Sequence, residues 1–194
     1  MSESLEKGPI ADQPIEAEWT IESGERFLRL VLSRAGDRYA HRIELLSADG
    51  ELVASATSEE GATASIADAS ESWPASPPFQ QFHRQEIDGR PAWFFVGMAG
   101  KSHWSASVTA RDDVAGWEFD VACRYREAPG YLGSAYRVSF PDDRLPRPAF
   151  FTLITGETTE LRGSEDIVAA VPSEEGRSDS LPASARWRYV CAFS

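Results

Sequence analysis

Residues 103–126 read HWSASVTARDDVAGWEFDVACRYR, two alternating segments joined by a polar linker. In each segment apolar and polar side chains alternate, which is the period of a β-strand with one face turned toward a core. The apolar positions are Trp104, Ala106, Val108 and Ala110 in the first segment and Trp117, Phe119, Val121, Cys123 and Tyr125 in the second. The linker holds two aspartates and a glycine, which favours a hairpin loop. The stretch therefore predicts two antiparallel neighbours in a β-sheet.

The same stretch also predicts the register of the two strands. In one antiparallel register the apolar residues face one another, in the pairs Trp104–Cys123, Val108–Phe119 and Ala110–Trp117. The polar residues of the opposite face then pair as well, His103 with Arg124 and Ser107 with Asp120. A slip by one residue would place each apolar set opposite a polar set, so this register is strongly favoured.

Similar alternating or β-branched segments recur along most of the chain. They lie at residues 26–34, 39–47, 52–55, 92–98, 134–140, 149–155 and 186–193, with weaker candidates at 158–162 and 167–171. No stretch longer than about ten residues has a helical period with caps at both ends. We predict an all-β protein, an antiparallel meander of about ten strands that forms an up-and-down or half-open barrel. The alternative is a two-sheet β-sandwich.

The N-terminal end differs from the rest in composition. Residues 1–16 are polar and acidic and contain Pro9 and Pro14, so we predict a disordered tail followed by one all-β domain over residues 17–194. The start lacks the apolar segment of a secretory signal, and no apolar run approaches the roughly 20 residues that cross a bilayer. These features predict a soluble cytoplasmic protein that makes no membrane contact.

Charge and cysteine content narrow the function classes. The chain has 31 acidic and 19 basic residues, a net charge of −12, which disfavours nucleic acid as a partner because its phosphates must be neutralised. One basic segment, residues 26–42, is interpreted as a solvated face of a strand pair. Cys123 and Cys191 lie at apolar strand positions, which predicts free, buried and unreactive thiols.

The polar face of the 103–126 pair carries the candidate site. Its residues are His103, Ser105, Ser107, Asp120 and Arg124. They include the residue types of an acyl-transfer site, in which a histidine takes the proton of a serine hydroxyl. However, same-face neighbours on a strand lie about 6.5–7 Å apart, and no G-x-S-x-G elbow is present. We therefore interpret the five residues as a ligand-binding set and assign no catalytic residue.

The spacing of the three histidines and of the glycines indicates no cofactor class. His41, His83 and His103 show none of the spacings H-x-H, H-E-x-x-H or C-x-x-C, so no metal site is predicted. The glycines form no phosphate-binding loop of the P-loop or dinucleotide type. The identity of any cofactor stays open.

Three functions fit these observations. The first is non-enzymatic binding of a small, partly apolar ligand by a barrel-like body. The second is a hydrolase or isomerase that uses the His103/Asp120 face, which would require His103 in a cleft beside Asp120 or Ser105. The third is a structural or oligomerising domain without a pocket. In that case exposed aromatic residues among Trp73, Phe79, Phe82 and Trp93 would join copies into a homo-oligomer.

Overall fold

The computed structural model describes residues 15–23, 25–63, 66–87, 89–111, 113–141, 151–155, 157, 159–163, 167–174, 177 and 180–193. The described residues form thirteen β-strands. These are β1 (Ile15–Ser23), β2 (Arg26–Ala35), β3 (Arg38–Leu46), β4 (Leu52–Ser58), β5 (Gln81–Ile87), β6 (Arg90–Ala99), β7 (Ser102–Arg111), β8 (Gly116–Tyr125), β9 (Ser134–Ser139), β10 (Phe151–Thr155), β11 (Thr159–Gly163), β12 (Ile167–Pro172) and β13 (Ala183–Phe193). Among these residues, no helix is long and apolar enough to span a membrane.

The strands are arranged in two antiparallel sheets, which confirms the all-β prediction. The seven-stranded sheet has the order β1-β2-β3-β4-β9-β12-β11, and the six-stranded sheet has the order β10-β13-β8-β7-β6-β5. Each sheet contains one meander of four consecutive strands, β1 to β4 in the first and β5 to β8 in the second. The arrangement in two sheets is consistent with both the barrel-like prediction and the sandwich alternative. Strand β1 begins at Ile15, two residues inside the predicted tail, and residues 1–14 lie outside the described part.

The β7–β8 pair has the register that its sequence predicts. Trp104 lies opposite Cys123, Val108 opposite Phe119 and Ala110 opposite Trp117. On the other face, His103 lies opposite Arg124 and Ser107 opposite Asp120. The apolar face of the pair is buried, so the hydrophobic pattern alone specifies the alignment of these strands.

Aromatic side chains occupy the space between the two sheets. The largest fully buried ones are Trp104, Trp117, Trp187, Tyr136, Tyr189, Phe79, Phe95 and Phe119. They meet in edge-on and stacked pairs, such as Trp104–Trp187 at 5.8 Å and Phe119–Tyr189 at 5.2 Å between ring centroids. Such pairs add to the stabilisation that comes from burial. The candidate residues on β7 and β8 consequently lie on the outer face of the six-stranded sheet.

A proline-rich segment, residues 73–80, contacts strands of both sheets. The Tyr39 amide donates to the Phe79 carbonyl at 2.6 Å, and Phe79 is buried in the core. The segment passes so close to β6 that a Cβ at Gly97 would overlap the carbonyl oxygen of Pro78. Glycine at position 97 is therefore required by the backbone that crosses it.

The aromatic residues considered for self-association are buried or half-buried. Phe79 and Trp93 are buried, and Trp73 and Phe82 are half-buried against the core. Phe82 meets Trp19 at 5.8 Å between ring centroids. These side chains pack in or against the core and so stabilise the fold.

Strand β5 is an element that the alternation pattern did not reveal. Residues 81–87 read QFHRQEI, and apart from the half-buried Phe82 every side chain is exposed. The strand pairs with β6 in continuous register from Gln81–Val96 to Ile87–Arg90. It forms one edge of the six-stranded sheet.

Candidate functional site

The outer face of the six-stranded sheet brings the candidate residues into two neighbouring rows. In one row, Met98 of β6 faces His103 of β7, which in turn faces Arg124 of β8. In the next row, Val96 faces Ser105, and Ser105 faces Ala122. Side chains directly opposite on adjacent strands lie within about 5 Å of each other, so each row forms a continuous surface.

These two rows form an open groove of about 470 Å³. We call it the outer trough and define it by six of its lining residues, Val96, Met98, His103, Ser105, Ala122 and Arg124. Its floor is low because Ser105 and Ala122 are small. Val96 and Met98 are 47% and 46% exposed, so apolar surface remains open to solvent on one side.

The crossing segment before β5 supports one end of the trough. The Gln80 amide donates to the Val96 carbonyl at 2.9 Å, and the Gln80 side-chain oxygen accepts from the Met98 amide at 3.1 Å. These two bonds extend the edge of β6 past the point where β5 begins. They hold Val96 and Met98 in fixed positions beside the groove.

The charged groups on this face divide into paired and unpaired ones. The Arg186 guanidinium of β13 donates to both carboxylate oxygens of Asp120, with the Nε–Oδ1 bond at 2.7 Å. Arg188 and Arg111 likewise bond the carboxylate of Glu118. Within the described part of the chain, no ion pair engages Arg124, which is exposed.

The trough contains three of the five residues predicted from the sequence. His103, Ser105 and Arg124 line it. Ser107 and Asp120 face each other one row farther along the same side of the sheet, outside the lining. Asp120 is four residues from Arg124 along β8, a distance of about 13 Å in an extended strand.

The geometry does not assemble a nucleophile with a base. His103 is exposed, and among the described residues no hydrogen bond joins it to Ser105 or Asp120. The carboxylate of Asp120 is taken by Arg186 instead. A serine–histidine or histidine–aspartate pair needs hydrogen-bond contact, and the described residues show no such contact at His103.

Two residues of the trough were missed as site residues. Val96 and Met98 belong to the apolar run AWFFVGM, which reads as a strand with both faces apolar. Trp93, Phe95 and Gly97 occupy the buried face, so the alternate residues Val96 and Met98 must point outward. The sequence therefore held a signal for these two residues. The run 92–98 is apolar on both faces, whereas the neighbouring strand β7 is polar on its outer face. The outer face of β6 must then expose apolar side chains.

A chain of polar groups crosses the core, and its residues are not among those that line the outer trough. The Tyr136 hydroxyl is hydrogen-bonded to Nε2 of His41 at 2.9 Å and to the Tyr189 hydroxyl at 2.8 Å. Burial lowers the pKa of His41 to about 3 and raises the pKa of Tyr136 and Tyr189 well above the ordinary range. All three groups are neutral at neutral pH, and they connect the two sheets.

The cysteines and the basic segment are two further features that the sequence singled out. Cys123 and Cys191 are free and buried as predicted, and desolvation raises the pKa of the Cys123 thiol to about 12. The basic segment is partly neutralised, since Glu44 accepts from Arg29 and Arg42 at 2.6–2.7 Å. In the described ranges, no three His, Cys, Asp or Glu side chains come together as metal ligands.

The fold and the site together define an antiparallel two-sheet β-protein with an open trough on one outer face. Comparison with family models, curated proteins and solved structures finds no match for the chain. Function must therefore be inferred from the residues of the trough.

Proposed function

We propose that the outer trough binds a small ligand that has an apolar part and an anionic group. The observation that carries this proposal is the position of Arg124 beside His103, next to the exposed side chains of Val96 and Met98. Ligand sites combine apolar surface with a few polar groups that fix orientation. The volume of about 470 Å³ falls within the range of small-molecule sites.

The charge pattern supports an anion over a cation. Arg124 has no ion pair in the described ranges, whereas Asp120, the nearest acid on the same strand face, is neutralised by Arg186. An arginine fork bonds a carboxylate with two parallel hydrogen bonds, which gives both strength and orientation. The anionic end is therefore assigned to Arg124 and His103, and the apolar end to Val96 and Met98.

Octanoate is a suitable probe because it joins a carboxylate to an apolar chain. We expect octanoate to shift the backbone amide NMR signals of residues 96–98 and 103–105. Octylammonium has the same chain and the opposite charge, and we expect it to bind at least about tenfold more weakly, since it lacks the charge-assisted bond to Arg124.

A matched pair of variants tests the role of Arg124. Arg124→Met keeps an unbranched stem but removes the guanidinium and its charge, so octanoate binding should weaken about tenfold or more. Arg162→Met makes the same charge change on the seven-stranded sheet, at a side chain that is 64% exposed, and should leave binding unchanged. Equal binding by Arg124→Met and the parent protein, or shifts confined to other residues, would contradict the proposal.

A further inference from the structure

Strand β5 presents an edge that no other described strand covers. It pairs with β6 on one side and ends the six-stranded sheet on the other. Its residues from His83 to Ile87 are all exposed. The strand contains no proline, lysine or register shift against β6, which are devices that proteins use to block edge pairing.

The charges on β5 are complementary to those of a second copy of the same strand. Arg84 and Glu86 lie on one face of the strand, and neither has an ion pair in the described ranges. Two copies related by a two-fold axis perpendicular to the sheet keep their faces aligned, so only every second antiparallel register is allowed. Among these registers, one sets Arg84 opposite Arg84 and another sets Glu86 opposite Glu86. The register between them sets each Arg84 opposite Glu86 of the second copy.

The residues on the other face of β5 are also complementary between the two copies in this register. It places Ile87, which is 46% exposed, opposite His83 of the second copy. His83 stacks on Phe94 of β6, with 5.3 Å between ring centroids and 20° between ring planes. An exposed aliphatic side chain would thus meet a flat aromatic pair, and this contact would occur twice across the axis.

We infer that β5 pairs antiparallel with β5 of a second copy, joining two six-stranded sheets across a two-fold axis through Gln85. Arg84 and Glu86 form two reciprocal ion pairs on one face, and Ile87 covers His83 twice on the other. This contact is independent of the ligand proposed for the outer trough. It also differs from the aromatic residues Trp73, Phe79, Phe82 and Trp93, whose side chains pack in or against the core.

A charge-reversal series measured by sedimentation equilibrium tests the pairing. The parent protein should be a dimer, and Arg84→Glu or Glu86→Arg should each raise the dimer dissociation constant at least about tenfold, because each substitution creates two like-charged pairs. The double variant Arg84→Glu/Glu86→Arg restores opposite charges and should recover the dimer. Arg162→Glu, on the edge strand of the other sheet, is the matched control and should remain dimeric. Circular dichroism of each variant checks that it is folded.

A single cysteine tests the register. The two native cysteines are buried, so Gln85→Cys places a reactive thiol on the axis, where it should form a disulfide with its copy under oxidation. His83→Cys would lie about 13 Å from its copy in this register and should not crosslink. A monomeric parent protein, a double variant that stays monomeric, a dimer that survives both single reversals, or equal crosslinking at positions 83 and 85 would overturn the inference.

Discussion

The two faces of the β7–β8 pair share one backbone but have opposite environments. On the inner face, Trp104 and Phe119 are at most 2% exposed and meet aromatic partners from other strands. On the outer face, His103 and Arg124 are exposed, and no side chain of the described residues bonds them. Alternate residues of one strand therefore differ in role: the inner ones pack in the core, and the outer ones face solvent.

The contrast separates the residues that stabilise the fold from those that face solvent. Inner-face residues exclude water and interlock, so their loss leaves a cavity that the surrounding core fills only in part. Outer-face residues contact mainly solvent, so they can change with little effect on folding. The outer trough can consequently be altered for binding studies without loss of the fold.

Truncation of Phe119 should give the largest effect. Phe119 stacks on Tyr189 at 5.2 Å and is 1% exposed, so Phe119→Ala should lower the free energy of unfolding by about 3–5 kcal/mol. Urea denaturation monitored by tryptophan fluorescence measures the change. A loss below about 1 kcal/mol would show that the core refills around this site and would remove the contrast between the two faces.

Acid should destabilise the protein through His41 before most carboxylates titrate. Burial lowers the pKa of His41 to about 3 in the folded chain, against 6.5 for a free histidine. Between pH 6.5 and 3, the His41 imidazole therefore binds a proton in the unfolded chain and stays neutral in the folded chain. The stability is fully present above pH 6.5 and falls as the pH decreases toward 3. The slope of the free energy of unfolding against pH should approach about 1.4 kcal/mol per pH unit.

Two histidine variants separate this effect from general acid denaturation. Between about pH 6 and 4.5, His41→Phe should lose most of the slope, because the new side chain fills the site and does not titrate. His103→Ala should keep the slope, since His103 is exposed on the outer face. An unchanged slope in His41→Phe would show that other groups cause the acid sensitivity.

Removal of the Tyr136 hydroxyl should have an intermediate effect. Tyr136→Phe preserves the packing but leaves Nε2 of His41 and the Tyr189 hydroxyl without this partner inside the core. The expected loss in the free energy of unfolding is about 1–3 kcal/mol, measured by urea denaturation. Tyr39→Phe is the control, because the Tyr39 hydroxyl accepts an exposed bond from Arg34 at 3.3 Å and should cost much less. Equal losses in the two variants would contradict a special role for the buried chain.

The same contrast explains which parts of the fold were predictable. The β7–β8 register followed from the alternation alone, because one face of both strands is almost wholly apolar. Strand β5 carries polar residues on both faces, since it lies at an edge, and so it has no hydrophobic period to detect. The dipeptide Asp88-Gly89 between β5 and β6 was its one sequence signal, a common hairpin turn.

The candidate site was predictable in part for a related reason. His103 and Arg124 are adjacent because the register places them so, and the register was known. The trough also depends on the order of strands, which brings Val96 and Met98 from β6 beside them. Asp120 lies one row outside the trough, and Arg186, from a distant part of the chain, bonds its carboxylate; local alternation carries no information on such a pairing.

The Asp120–Arg186 pair should give the smallest effect and completes the contrast with Phe119, its neighbour in sequence. The Arg186 side chain is 70% exposed, so solvent screens the pair despite its two hydrogen bonds. In a double-mutant cycle with Asp120→Asn and Arg186→Met, urea denaturation should give a coupling energy below about 1 kcal/mol, and salt should reduce it further. A coupling of about 3 kcal/mol or more would mean that this face is desolvated like a core, and the outer surface of the sheet would then have to be covered in solution.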